Sequence, residues 1–401
     1  MSLRLPFDGV ELAAGDPACV TAACSAPALP AFSPRVLALL DALSQSLRAL
    51  PQLREYPDLA AFAFWCRRAA LSAMGRAYEG EMLVGRGLSL HLAPGNVALN
   101  FAYSLAAGLL AGNPCVVRLP GERFPQSGLL CALLDELTRI RLADLRPYAL
   151  CLRCGHDSSL LEALSARCAV RVIWGGDQTV AHIRRLPLPA RAVELTFADR
   201  RSVCVLDSAA WLAAPDKDAL AERFFRDAYW SDQLACTAPR AVLWLGERAG
   251  RARADFWPRV SALARQGYPI ADALAVRKRE AALLLAASYP GAVLCPGDNY
   301  AVRVGLPALT ADSLDFCPGG GFFVESAAAS LDALLPVAGE RCQTVVSYGV
   351  SRAAYEEFFA KYGPGGIDRV VPLGQSAEFS LRWDGYDLIR AMSRCVCLTP
   401  G

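Results

Sequence analysis

Histidine is scarce in this chain: His91, His156 and His182 are the only three among 401 residues. A cysteine protease needs a thiol, a histidine base and a group that orients the base. None of the three histidines has such a setting, so that class is set aside. Neither Gly-x-Gly-x-x-Gly nor a P-loop occurs, which removes the two commonest phosphate-cradling signatures. No sign of charge dominates either, since 41 basic residues face 39 acidic ones for a net charge of +2. No whole-chain field is directed at nucleic acid or an anionic membrane, and small substrates are expected instead.

The start, Met1-Ser2-Leu3-Arg4-Leu5-Pro6-Phe7-Asp8, lacks a basic segment followed by an uninterrupted apolar run. No secretory leader is expected, and cytoplasmic residence is the default. Residues 97–117 carry no charge and are about long enough to cross a bilayer, but Gly112-Asn113-Pro114 interrupts them and Asn100 lies among them. The pattern predicts a buried helix over 97–111 and a buried strand over 115–118, with no membrane span.

What is plentiful is apolar surface and thiol. Apolar residues make up 54% of the chain, enough for two domains with sizeable cores. The fifteen cysteines are odd in number and irregular in spacing, which suits reduced, mostly buried thiols better than a disulfide scaffold. Cys151-Leu152-Arg153-Cys154-Gly155-His156 is the one metal-like arrangement. A single C-x-x-C without a second pair reads as a strand that happens to contain two cysteines, so no metal is expected.

Helical spacing covers 36–50, ending at Pro51, and 58–78, opened by Asp58 after Pro57. Short apolar runs then alternate with helices: 88–92, 115–118, 148–154, 170–174, 192–195 and 203–206. Such alternation predicts a parallel sheet with crossover helices, which binds ligands at the carboxyl ends of its strands. A helix over 217–229 leads into a second series with strands at 241–244, 292–295, 300–304, 344–348 and 369–372. The fold class is α/β, with boundaries expected near 80, 207 and 375.

Cys236 lies just beyond the 217–229 helix in Trp230-Ser231-Asp232-Gln233-Leu234-Ala235-Cys236-Thr237-Ala238-Pro239-Arg240. A polar helix end is an unusual setting for a structural thiol and a suitable one for a nucleophile, whose thiolate needs backbone N–H groups or a cation nearby. Pro94-Gly95-Asn96 follows one strand and precedes a helix; Asn96 either offers an amide to an oxyanion or caps the helix. Gly175-Gly176 makes a second strand-to-helix turn where backbone can approach a cofactor. Arg118, at a strand end, either reaches the 2′-phosphate of NADP or is an ordinary solvated arginine. Glu194 and Glu325 are the candidate carboxylates.

Together these segments resemble the aldehyde dehydrogenase superfamily, and within it the acyl-CoA reductase family typified by the fatty-acid reductase of bacterial luminescence. Pro94-Gly95-Asn96 resembles the oxyanion segment, and Leu109-Leu110-Ala111-Gly112-Asn113-Pro114-Cys115-Val116-Val117-Arg118 the strand whose end contacts the adenosine ribose. Trp174-Gly175-Gly176-Asp177 resembles the cofactor turn and Gln233-Leu234-Ala235-Cys236-Thr237 the nucleophile segment. Gln343-Thr344-Val345, 368–374 and 383–388 resemble carboxyl-terminal blocks. Two segments depart from the superfamily. Glu194-Leu195-Thr196-Phe197 replaces Glu-Leu-Gly-Gly, and the Glu-x-x-x-Gly-Pro segment, where Glu325 would fall, is missing. Loss of the first fits reduction, because a reductase has no acyl-enzyme to hydrolyse and needs no water-activating base.

The resemblance implies an aldehyde-dehydrogenase-like fold. It would consist of a helical region over 1–80, a Rossmann-type NADP domain over 81–207, a catalytic domain over 208–375 and a segment over 376–401 returning to the core or an oligomer interface. It implies NADPH-dependent reduction of an acyl-CoA or carrier-protein acyl thioester to an aldehyde. Cys236 would be the nucleophile, Asn96 the oxyanion donor and Glu194 the candidate base, with Pro94, Gly95, Arg118, Gly175, Gly176 and Glu325 around the cofactor. A homo-oligomer and an acyl-transferring partner enzyme are further expectations. The alternatives are a CoA-acylating aldehyde dehydrogenase, a cysteine acyltransferase or thioesterase without redox chemistry, and a non-catalytic docking subunit.

Overall fold

The computed structural model describes residues 5–399, so Met1–Arg4, where the reading for a leader began, lie outside the described residues. The chain divides into two compact units, one formed by Met1–Ala198 with Leu381–Gly401 and the other by Asp199–Ser380.

The first unit is built on β1 (Glu11–Ala14), β3 (Ser89–Leu92), β4 (Cys115–Arg118), β5 (Ala149–Arg153), β6 (Val170–Trp174) and β7 (Val193–Phe197), with β2 (Leu83–Gly85) standing outside this sheet. The sheet order is β1-β5-β4-β3-β6-β7, parallel except for β1. Every residue of β3 and β6 is buried, as expected for strands covered by helices on both faces. One cover is the helix Asn100–Leu110, apolar around nearly its whole circumference. It rests on the sheet through Gly108, where a Cβ would stand 2.7 Å from Cys115 Sγ and 2.8 Å from His91 Nε2. Only glycine allows that approach.

Asn113, completely buried, joins separate parts of this unit. Its Oδ1 accepts from the Arg86 N–H at 2.7 Å, and its Nδ2 donates to the Met392 carbonyl at 3.0 Å. The carboxyl-terminal segment thereby returns to the first unit, where β17 (Ser393–Cys395) pairs antiparallel with β2. A small hairpin of β15 (Arg382–Trp383) and β16 (Tyr386–Asp387) precedes it.

The second unit holds a seven-stranded sheet ordered β10-β11-β12-β9-β8-β13-β14, parallel except for β10. Its strands are β8 (Arg201–Asp207), β9 (Pro239–Leu245), β10 (Val293–Leu294), β11 (Val302–Gly305), β12 (Phe322–Ala328), β13 (Cys342–Tyr348) and β14 (Arg369–Pro372). Alternating residues feed two cores. Val203, Val205 and Val345 face Leu285 and Phe358 on one side, while Cys204, Leu206 and Val346 face Phe224, Phe256 and Trp257 on the other. The division at Ala198 precedes the boundary drawn after Asp207, because β8 bonds to β9 and β13.

Two helices differ from their predicted extents. The continuous helix over 58–78 is broken into Pro57–Trp65, Arg68–Gly75 and a 3-10 turn Arg76–Tyr78, with Arg67 extended at the break. The helix predicted from 97 begins at Asn100. No helix among the described residues is long and apolar enough to cross a membrane.

Candidate active site

In the first unit, chain order reverses between β3 and β6: β4 and β5 extend the sheet on one side of the pair, and β7 on the other. The carboxyl ends at such a reversal part and leave a crevice. Pro94-Gly95-Asn96 leaves the end of β3 and Gly175-Gly176 the end of its neighbour β6. Asn96 is exposed, and it does not cap the following helix, whose N-cap position is occupied by Leu99.

The floor beneath these turns is rigid. His91 bonds Ser89 Oγ and Ser104 Oγ, each at 2.7 Å, and the Trp174 indole N–H donates to the same Ser104 hydroxyl at 2.9 Å. Burial pulls the His91 pKa down to about 3, so this imidazole is neutral and structural. Trp174 stacks on Phe197 with ring centroids 3.6 Å apart, fixing the strand end from which Gly175 departs.

Arg118 stands at the carboxyl end of β4, half-buried, with Nε donating to the Cys154 carbonyl at 3.1 Å. Desolvation draws its pKa below the usual arginine value. Burial, and then the charges of Arg118 and His182, lower the pKa of His156, whose ring lies 5.9 Å from that of His182. His182 pairs with Asp157 at 3.1 Å. Two histidines unremarkable by sequence therefore join Arg118 in a basic cluster. The signal available for His156 was its position just past a predicted strand. Cys151 and Cys154 belong to β5 and its end, and no group of three or more His, Cys, Asp or Glu is placed to hold a metal among the described residues.

Glu194, on β7, is engaged by Arg171 through Nε at 2.8 Å and by Arg184 through Nε at 2.7 Å. Burial works to raise its pKa, but those hydrogen bonds outweigh it and hold the carboxyl below its ordinary value. The carboxylate is thus locked in an ion-pair network, an arrangement unlike that of a poised base. Glu325, on β12, is 1% exposed. It accepts from the Trp244 and Trp257 indoles at 3.0 and 2.9 Å and from Arg303 Nη1 at 3.1 Å, and Cys295 Sγ lies 3.3 Å away. Enclosed on all sides within the second unit, it does not present an oxygen to a ribose as expected.

Cys236 occupies the loop between the helix Lys217–Tyr229 and β9. Asp232 and Gln233 both take positive φ, +52° and +59°, so the chain turns sharply before the cysteine. Gln233, fully buried, makes this shape hold. Its Nε2 donates to the Pro239 and Phe322 carbonyls at 2.9 and 2.8 Å, while its Oε1 accepts from the Gly321 and Phe322 N–H groups at 3.0 and 2.9 Å. Gly319, Gly320 and Gly321, all at positive φ, form the facing turn, and the Gly320 N–H donates to the Asp232 carbonyl at 2.8 Å. Behind them the buried Lys278 ammonium donates to the Gly320 carbonyl at 2.6 Å and to that of Asn299.

Hydrogen bonds reach both the backbone and the sulfur of Cys236. Ser202 Oγ donates to its carbonyl at 2.6 Å, and Gln343 Nε2 donates to its sulfur at 3.4 Å. The residue is half-buried. Cys66 and Cys204 are fully buried, and burial pushes their thiols well above the ordinary range. An accessible thiol with a neutral N–H donor on its sulfur can act as a nucleophile. The roles of Gln233, Ser202 and Gln343 escaped the sequence, since each depends on a partner distant in the chain.

The family model for acyl-CoA reductase (LuxC) matches residues 71–258, a span that includes the turns at 94–96 and 175–176 and Cys236. Over 183 residues the chain is 27% identical to the long-chain acyl-protein thioester reductase of Vibrio harveyi, covering 42% of this chain and 35% of that one. The corresponding protein of Aliivibrio fischeri is 23% identical over 168 residues, 40% of this chain and 33% of its own. The matched stretch therefore spans about a third of these curated relatives. Solved structures extend the likeness in fold to nearly the whole chain. Lactaldehyde dehydrogenase from Escherichia coli superposes with a TM-score of 0.61 at 13% identity, covering 94% of this chain and 89% of that one. For 1-pyrroline-5-carboxylate dehydrogenase from Thermus thermophilus the TM-score is 0.62 at 15% identity, with coverages of 96% and 85%. Over residues 71–258 the chain is similar to the acyl-CoA reductase (LuxC) family, and it has the α/β fold of aldehyde dehydrogenases.

Proposed function

We propose that this protein reduces an acyl thioester to an aldehyde with NADPH, through a covalent acyl-enzyme on Cys236. The observation that carries the proposal is the half-buried Cys236 thiol, held in a loop of fixed shape with the Gln343 amide 3.4 Å from its sulfur. The similarity of residues 71–258 to the acyl-CoA reductase family supplies the thioester. The relatives' description as long-chain acyl-protein reductases supports a long acyl chain carried on a protein or on CoA.

In this reading the Cys236 sulfur attacks the thioester carbonyl, the donor's C–S bond breaks, and the donor thiolate departs with the electron pair. The Asn96 amide and the Cys236 N–H are the proposed donors to the oxyanion, where removal of one donor costs about a hundredfold or more in rate. When bound, NADPH supplies the hydride that reduces the acyl group. Hydride addition leaves an oxyanion on the thiohemiacetal carbon; as that oxygen forms the aldehyde carbonyl, the C–S bond breaks and its electron pair returns to Cys236. No step requires a base to activate water, consistent with Glu194 and Glu325 being tied into ion-pair networks.

The carboxyl edge of the first sheet fits a dinucleotide. The turn after β6 is glycine at 175 and 176, the strand order reverses beside it, and Arg118, His156 and His182 gather positive or protonatable groups nearby. We assign the approach of the cofactor to Pro94, Gly95, Gly175 and Gly176, and preference for its 2′-phosphate to Arg118. Self-association and an acyl-transferring partner enzyme belong to the same reading.

NADPH absorbance followed against a panel of CoA and carrier-protein thioesters tests the proposal, with Cys236→Ala as control. Aldehyde formation and covalent acyl labelling are expected, and both should vanish in the variant. Thioester turnover without NADPH consumption would identify a transferase or thioesterase instead, and labelling that persists on another cysteine would displace Cys236.

A further inference from the structure

Strand β8 is flanked by β9 and β13, and both neighbours are irregular at the same level. Ser202 pairs with Pro239 while the next residue, Val203, pairs with Ala241, so Arg240 is an extra residue in β9. On the other flank Arg201 pairs with Cys342 and Ser202 with Thr344, so Gln343 is an extra residue in β13. Bulges of this kind re-aim a side chain that regular alternation would send elsewhere. Here the two bulges bracket Ser202, whose hydroxyl holds the Cys236 carbonyl.

The re-aimed Gln343 is 0% exposed, and a buried amide must find partners within the protein. Its Nε2 donates to Cys236 Sγ at 3.4 Å, and its Oε1 accepts from Thr344 Oγ1 at 3.4 Å. The Asp368 N–H donates to the Gln343 carbonyl at 2.9 Å, which fixes the backbone of the bulge. The donor is aimed at the sulfur by the sheet itself.

We propose that Gln343 is a catalytic residue of this enzyme, donating an N–H to the Cys236 sulfur whenever that sulfur carries negative charge. The inference rests on Cys236 being the nucleophile. Charge is present on the sulfur twice in that chemistry, before attack on the thioester and again when the C–S bond breaks to release aldehyde. A thiolate accepts a stronger hydrogen bond than either a thiol or a thioester sulfur, so Gln343 favours both charged states over the acylated one. It also holds the thiolate in one orientation without placing a proton-exchanging group beside it, because an amide neither gains nor loses a proton in the working range.

The test is the pH dependence of Cys236 alkylation by iodoacetamide, followed on the Cys236 peptide by mass spectrometry in the full-length protein. Gln343→Met keeps the approximate size and removes the donor. A lost hydrogen bond to a charged acceptor corresponds to a rise of about one to two pH units in the alkylation midpoint. Gln343→Glu keeps the shape and places an acceptor against the sulfur, so its midpoint should rise at least as far; it decides the matter should the Met variant not fold. Gln343→Asn, which retains an amide, should move the midpoint less than either. Variants that lower kcat while leaving the midpoint unchanged would overturn the inference and make Gln343 a packing residue. Failure of the Cys236 assignment has a different signature, since Cys236→Ala would then retain reductase activity.

Discussion

Gln233 provides a stringent stability test. Two backbone N–H groups lie on one side of its amide and two carbonyls on the other, so one orientation satisfies all four contacts and the reverse orientation satisfies none. Gln233→Ala leaves the Gly321 and Phe322 N–H groups buried without their acceptor. At about 1–3 kcal/mol for each orphaned group, the loss is about 2–6 kcal/mol, before any cavity is counted. Gln233→Glu preserves volume and turns an oxygen toward the Pro239 and Phe322 carbonyls, which favours the protonated carboxyl. Its folded-state pKa would then exceed the unfolded value near 4.3, so this variant should be most stable below that pH and lose stability as the pH rises through the folded-state pKa. Urea midpoints from pH 4 to 8, monitored by tryptophan fluorescence, measure both effects. Values within about 0.5 kcal/mol of the unmodified protein at every pH would refute the view that this amide pins the Cys236 loop.

Three further outcomes are expected. Asn96→Ala should lower turnover by about a hundredfold with unchanged melting temperature, because Asn96 does not cap the helix that begins at Asn100; a change confined to stability would end its oxyanion role. Arg118→Ala should weaken NADPH binding by about ten- to a hundredfold and leave NADH nearly unchanged, whereas equal losses in a fluorescence titration of both cofactors would remove it from the site. Burial lowers the Lys278 pKa to about 8 from an ordinary 10.5, so the unfolded chain binds the extra proton between those values. Stability should therefore rise with pH across that window, and Lys278→Met should abolish the rise in urea midpoints.

Much of the sheet architecture was legible because many of its strands are short apolar runs rich in valine. Cys115–Arg118, Val170–Trp174 and Arg369–Pro372 lie where the pattern placed them. The break near Arg67 was not legible, since neither glycine nor proline marks it and the apolar period continues across it. Strand β12 contains Glu325 amid apolar residues, and only the surrounding Trp244, Trp257 and Arg303 explain how a carboxylate is accommodated there. Cys236 and the turns at 94–96 and 175–176 stood out as candidates because adjacent residues report a local shape. Gln343 stood in a block without a role, because its contact with the Cys236 sulfur arises from a register shift between β13 and β8 that no local pattern encodes.

The pairing of β17 with β2 has a consequence for synthesis on the ribosome. The first unit is interrupted at Ala198 and resumes at Leu381, so its edge pair and the Asn113–Met392 bond cannot form until the entire second unit has been translated. A nascent chain released early would hold a folded six-stranded sheet whose buried Asn113 amide lacks its last acceptor. Completion of the first unit is thereby deferred until residues 381–395 have been made, when the second unit has already had the opportunity to fold.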